Sequence, residues 1–157
     1  MGFSASVCTW KHGKRWAYSV TYDEALEELF EFTVPVHEEL SIPGHVEVVV
    51  GHMGVVRQIG ESSYNGYHHM GAQSLRRLVD MGWGIGNHSW SHGRVEDDLD
   101  LEIRQAREKL EDATGQRVTV YCAPGDNSNI TPSIVQALQD AGHLCALGVT
   151  DDINTVD

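Results

Sequence analysis

His88 and His92 stand four residues apart in Asn87-His88-Ser89-Trp90-Ser91-His92. Of the nine histidines in this 157-residue chain, these two are the pair best spaced to act together. If the backbone turns helically there, both imidazoles project from one side. Two neutral imidazoles and a carboxylate suit a divalent cation, zinc or another first-row metal. The adjacent acids Asp23 and Glu24 can supply that carboxylate, one binding the ion while the other stays free as a base. A bound cation lowers the pKa of its water from about 15.7 to about 7. The free acid then takes the proton as that water attacks. Each signal has a plain alternative. Histidines can cap a surface loop, and paired acids can open a helix as a solvated turn that suits its dipole.

The elements that must position these groups decide between the readings. Strands are expected over 16–21, 45–50, 83–86, 118–121 and 144–149, where β-branched, aromatic or glycine-rich runs occur. Helices are expected over 23–32, from Thr33 as cap through Leu40, over 73–81, over 95–113 and from Thr131-Pro132 to Ala141. The 95–113 helix rests on Leu99, Ile103, Ala106 and Leu110, and Gly115 follows as its stop. Residues 54–70 are polar and carry no periodicity. Strand and helix alternate about five times, which implies a parallel sheet with right-handed crossovers, open or closed into a barrel. Such folds gather function at the carboxyl ends of their strands. There the chain places Asp23-Glu24, His52, the His88/His92 pair, and Cys122-Ala123-Pro124-Gly125-Asp126-Asn127. All four sets fall at one end.

Composition narrows the partners. Eleven basic and 23 acidic residues leave a formal charge of −12, which speaks against nucleic acid and against anionic membrane surfaces. Cys8, Cys122 and Cys145 show no CxxC spacing, so neither a disulfide framework nor a cysteine zinc site is indicated. No apolar run reaches 18 residues, and Lys11, His12, Lys14 and Arg15 interrupt any leader early. A leader removed before residue 1 leaves the compartment open, cytoplasmic or secreted. The length fits one domain.

At these residues the chain resembles the polysaccharide deacetylases of carbohydrate esterase family 4. Their Thr-Phe-Asp-Asp motif is matched by Thr21-Tyr22-Asp23-Glu24, and their His-Ser/Thr-x-x-His motif by His88-Ser89-Trp90-Ser91-His92 after Gly82-Trp83-Gly84-Ile85-Gly86-Asn87. The resemblance implies a distorted (β/α) barrel, incomplete if the chain stops short of its final strands, and a metal-dependent N- or O-deacetylation site. By position it makes Asp23 the catalytic base and Glu24, His88 and His92 the metal ligands, with the two acids' roles exchanged as the alternative. Three departures stand out. Glu24 replaces the usual aspartate. Tyr121-Cys122-Ala123-Pro124-Gly125 keeps the proline of the third motif but lacks its arginine, which orients the base in that family. The family's general-acid histidine has no counterpart by position; the chain ends at Asp157 near where the fourth motif would begin. His52 is the expected substitute acid.

The expectation is therefore a single metal-dependent hydrolase domain acting on an acetylated carbohydrate. Trp90, Pro124, Gly125, Asp126 and Asn127 are candidate substrate contacts, although Trp90 also suits packing under the loop and the polar pair suits a turn. A backbone N–H near Gly125 or Asp126 can stabilise the oxyanion. His68 and His69 could border the same cleft, but a surface position is the first expectation for both. The rival readings are a catalytically impaired carbohydrate-binding or scaffold domain of the same fold, hydrolysis of a non-sugar amide C–N bond, and a metal-free interaction protein. An incomplete barrel would expose a flank, which implies self-association, a partner chain or further residues beyond the C-terminus.

Overall fold

The computed structural model describes residues 11–149 apart from 16, 59–60 and 62–64. Five strands, β1 (Thr21–Asp23), β2 (His45–Val48), β3 (Gly84–Asn87), β4 (Val120–Cys122) and β5 (Cys145–Leu147), pair in chain order, all parallel. Between them lie α1 (Leu29–Phe32), α2 (Val34–Leu40), α3 (Ala72–Asp80), α4 (Ala106–Thr114) and α5 (Pro132–Ala141). The alternation is that of an incomplete (β/α) barrel, as the family resemblance implies; the sequence pattern by itself allows an open sheet as well. The valine-rich β2 is buried on both faces, with Val46, Glu47 and Val48 all enclosed. That burial is what a central parallel strand requires.

The core forms two clusters. Val46, Val48, Leu75, Leu78, Trp83, Ile85 and Leu110 pack between β2–β3 and helices α3 and α4. Val95, Ile103, Tyr121, Ile134 and Leu138 pack between β4 and α5. Truncating a fully enclosed leucine such as Leu110 to alanine costs about 2–5 kcal/mol. The glycines of β3 have a steric reason. A side chain on Gly84 would strike the His45 ring, and one on Gly86 would strike the Glu47 carboxylate on the neighbouring strand. His45 Nδ1 and Glu47 Oε1 approach to 2.7 Å over this strip.

Several expected elements are corrected. The first strand occupies Thr21–Asp23; of residues 16–21, Trp16 lies outside the described residues and 17–20 form no regular element. The ladder starts where the His45 N–H reaches the Val20 carbonyl, and Tyr18 before it is exposed. The helix expected over 23–32 shrinks to Leu29–Phe32. Glu24 and Ala25 turn instead through left-handed conformations, at φ 72° and 48°. The 25–27 backbone bonds to the 68–70 segment, with Met70 N–H donating to Ala25 O at 2.8 Å and Glu27 N–H to His68 O at 2.8 Å. Thr33 caps α2 by position without a side-chain bond, whereas the Thr131 hydroxyl accepts from the Ile134 N–H as expected.

The long helix expected over 95–113 breaks into three pieces. Val95–Asp97 is a 3₁₀ turn, Asp100–Gln105 is π-helical, and only Ala106–Thr114 is α-helical, ending at Gly115 with φ 71°. The wider turn inserts one residue per repeat, which swings Glu102 inward while keeping Ile103 in the core. Asn87, at the end of β3, donates to the Ile103 carbonyl at 3.2 Å. The unassigned 54–70 segment folds back on itself. Arg57 N–H donates to Tyr67 O at 2.8 Å, and His69 N–H to Val55 O at 2.9 Å.

Candidate active site

Asp23, Glu24, His88 and His92 meet at the carboxyl end of the sheet, around a cleft of about 500 Å³ that also touches Tyr22, Leu29, Ala123 and Gly125. The cleft holds the expected acid and histidine pairs together. His88 and His92 stand with ring centroids 4.9 Å apart. His88 Nε2 lies 4.0 Å from Asp23 Oδ2, and His92 Nε2 lies 3.6 Å from Glu24 Oε1. The acids therefore split: each faces one imidazole.

Local structure sets the imidazoles. The His88 Nδ1 meets the Cys122 carbonyl at 3.0 Å. A carbonyl only accepts, so Nδ1 carries the proton and Nε2 presents a lone pair toward Asp23. This is the arrangement a ligating histidine uses, its far nitrogen tied to a carbonyl. The loop that carries His92 is held by buried Glu102, which accepts from Trp90 N–H at 2.8 Å, Ser91 N–H at 2.9 Å and the Ser91 hydroxyl at 2.6 Å. Ser89 and His92 take left-handed conformations, at φ 66° and 60°, and His92 N–H donates to Ser89 Oγ at 3.0 Å. Burial lowers the His92 pKa against the opposing pull of Glu24, which favours the neutral, ligand-competent ring.

Sequence reasoning missed two residues here. Arg57 donates to Glu24 Oε2, and both side chains are buried. His69, expected at the surface, is 3% exposed. Its Nδ1 meets the Glu24 carbonyl at 2.8 Å, and its Nε2 lies 3.9 Å from Glu24 Oε2. Both come from the aperiodic 54–70 segment. The only available signal was the density of chemistry-bearing side chains in it. His52 packs against His69 with ring centroids 5.0 Å apart and does not line the cleft. Burial, then His69, lowers its pKa.

The remaining expected contacts scatter. Gly125 reaches the cleft wall at φ 71°. Pro124 is buried, and its carbonyl accepts from Asp126 N–H at 2.9 Å and from Asn129 Nδ2 at 2.9 Å. That commits the Asp126 N–H, one of the two expected oxyanion donors. Asp126 caps the following turn through Ser128 N–H at 2.7 Å, and Asn127 Oδ1 accepts from Val149 N–H at 2.8 Å. Trp90 packs against the core, and its carbonyl accepts from Gly51 N–H at 2.8 Å; it does not line the cleft. It takes the packing role.

The donor set fits a cation. Among the described residues, two groups of three have ligand atoms mutually within 4.8 Å: Asp23, His88 and Cys122; and Glu24, His52 and His69. Cys122 Sγ lies 3.6 Å from Asp23 Oδ1. Burial, then the Asp23 and Glu47 charges, push its thiol pKa up. Among the described residues no helix is long and apolar enough to cross a membrane.

Comparison with known proteins assigns the family and the fold. A polysaccharide deacetylase family model matches residues 11–146. No curated protein matches in sequence. Among solved structures, the deacetylase PplD of Streptococcus pyogenes, determined with acetate, is 12% identical, with a TM-score of 0.66 over 80% of this chain and 52% of its own. IcaB of Ammonifex degensii is 16% identical, with a TM-score of 0.67 over 83% and 58%. A de-N-acetylase of Aggregatibacter actinomycetemcomitans is 10% identical, with a TM-score of 0.67 over 86% and 64%. The chain thus spans between about half and two thirds of the length of these structures. The fold is theirs, and the chain belongs to the polysaccharide deacetylase family.

Proposed function

We propose that the protein is a metal-dependent hydrolase that removes acetyl groups from an acetylated carbohydrate. The observation that carries this is the convergence of His88 and His92 on the adjacent acids Asp23 and Glu24 at one cleft, at 4.0 and 3.6 Å. His88 and His92 hold the cation together with one acid of the pair. When bound, a zinc or other first-row cation polarises the acyl carbonyl and acidifies water. The second acid takes the proton of the attacking water. Glu102 keeps the histidine loop in shape, and the His88 bond to Cys122 O keeps its free nitrogen aimed at the acids. Gly125, on the cleft wall, is the remaining candidate for a backbone donor to the developing oxyanion. His52, away from the cleft wall, is poorly placed to protonate a leaving group directly.

A second reading, a carbohydrate-binding domain with impaired catalysis, is favoured by Cys122 standing where an arginine is expected. Hydrolysis of a non-sugar amide is a substrate variant of the first reading. His88→Ala separates them. A hydrolase loses acetate release from acetylated glycans while a binder keeps its affinity for them. Undiminished turnover in this variant would overturn the hydrolase reading.

A further inference from the structure

Asp23 and Glu24 are neighbours in sequence, yet their charges are balanced differently. Glu24 is buried and already paired with the Arg57 guanidinium. Among the described residues Asp23 has no arginine or lysine partner, and its nearest ionisable neighbours are His88 and the Cys122 thiol. A dication gains most beside the uncompensated carboxylate and loses beside a guanidinium.

We propose that Cys122 is a thiolate ligand to the cation of this site, joining Asp23, His88 and the neighbouring His92, while Glu24 remains on Arg57. This rests on the reading above that a cation binds at the cleft. The donor atoms of Asp23, His88 and Cys122 are already mutually within 4.8 Å. Cys122 Sγ to Asp23 Oδ1 is 3.6 Å, and His88 Nε2 to Asp23 Oδ2 is 4.0 Å. Zinc bonds of about 2.0–2.3 Å place tetrahedral donors roughly 3.3–3.6 Å apart, so a set already within 4.8 Å closes by side-chain shifts of about an ångström. One residue serves twice: the Cys122 carbonyl orients the His88 ring, and its side chain completes the set. Cys122 is buried, as is His88, while Asp23, His88 and Ala123 face the cleft, so the open side of the set is the substrate side. On binding, the thiol proton leaves to the buffer as the sulfur–metal bond forms, with no change of oxidation state. A thiolate in the set favours zinc over hard cations such as magnesium. The companion group, Glu24 with His52 and His69, would hold a cation against Arg57.

The test is cobalt(II) titrated into the metal-stripped full chain. Visible d–d bands report that cobalt is held, and a near-ultraviolet sulfur-to-cobalt band reports a thiolate. The wild type is expected to show both. Cys122→Ser is expected to keep the d–d bands, lose the sulfur band and bind at least tenfold more weakly; Cys122→Ala serves if serine disturbs folding, checked by circular dichroism. Cys8→Ser and Cys145→Ser keep the sulfur band. Wild-type d–d bands without a sulfur band would overturn the cysteine proposal and leave the hydrolase reading standing. Cobalt bands that survive His88→Gln but vanish in His69→Gln would also overturn it, by placing the ion with Glu24. No cobalt binding at all would bring down the cation site and this proposal together.

Discussion

Asp23 and Glu24 share a strand end and face opposite surroundings. Asp23 closes β1 in extended conformation, with its side chain half exposed on the cleft. Glu24 turns through φ 72° and drives its carboxylate back under the 54–70 segment, onto Arg57 and beside His69. One peptide bond thus separates an acid whose charge is unspent from an acid whose charge is neutralised. Environment, and not residue type, assigns their roles. With Asp23 at the cation, Glu24 is the remaining acid: Oε2 is anchored by Arg57, and Oε1 faces His92 and the cleft. This is the exchanged allocation, opposite to the one that position in the motif implies.

The pair of amides Asp23→Asn and Glu24→Gln breaks the comparison most sharply. Both slow acetate release by roughly 10²–10⁴-fold. Asp23→Asn also loses the cobalt spectrum, whereas Glu24→Gln keeps it; the reverse pattern would restore the allocation implied by the motif. Arg57→Met comes next. It strands a buried carboxylate and costs about 3–5 kcal/mol in urea unfolding, while cobalt binding persists. Unchanged stability would mean that Glu24 is not neutralised by Arg57.

A pH effect from outside the site must be separated from these. Burial holds the His143 pKa down, from 6.5 to about 4. Between those values the unfolded chain binds the extra proton, so stability rises with pH across that window and is lost as pH falls through it, by up to about 3 kcal/mol. His143→Gln should flatten the urea midpoint between pH 6.5 and 4; an unaltered slope would place its origin elsewhere. The smallest effect is expected at Glu102. Replacing it with alanine removes three bonds to the His92 loop, costing about 2 kcal/mol and loosening metal binding about 10–100-fold. Wild-type affinity in that variant would show that the loop holds itself.

The parallel alternation was legible because it follows from short-range pattern, valine runs and the helix cap at Thr131-Pro132; the His88/His92 pair was legible as residues, but its rings meet through left-handed turns at Ser89 and His92 and not through the helical turn that the spacing suggests. Arg57 and His69 were not, because a segment without periodicity reveals nothing about which side it folds toward. Its pairing with 24–27 is a long-range backbone event. The π-helical turn at Asp100–Gln105 was hidden for a related reason. The apolar spacing reads as one continuous α-helix, and only the demand of the Trp90–Ser91 amides for the Glu102 carboxylate discloses the extra residue. Cys122 was visible as a departure from the family motif, but its approach to Asp23 depends on the curl of the sheet.

The central claim is that this cleft hydrolyses acetyl groups through a bound cation. Acetate release from a panel of acetylated glycans, measured before and after stripping metal and again on adding zinc, tests it directly. Activity is expected to disappear on stripping, to return at about one equivalent of zinc per chain, and to stay absent in His88→Ala. Release that persists in the stripped protein, or zinc held at His88 with no acetate released from any glycan, would contradict it.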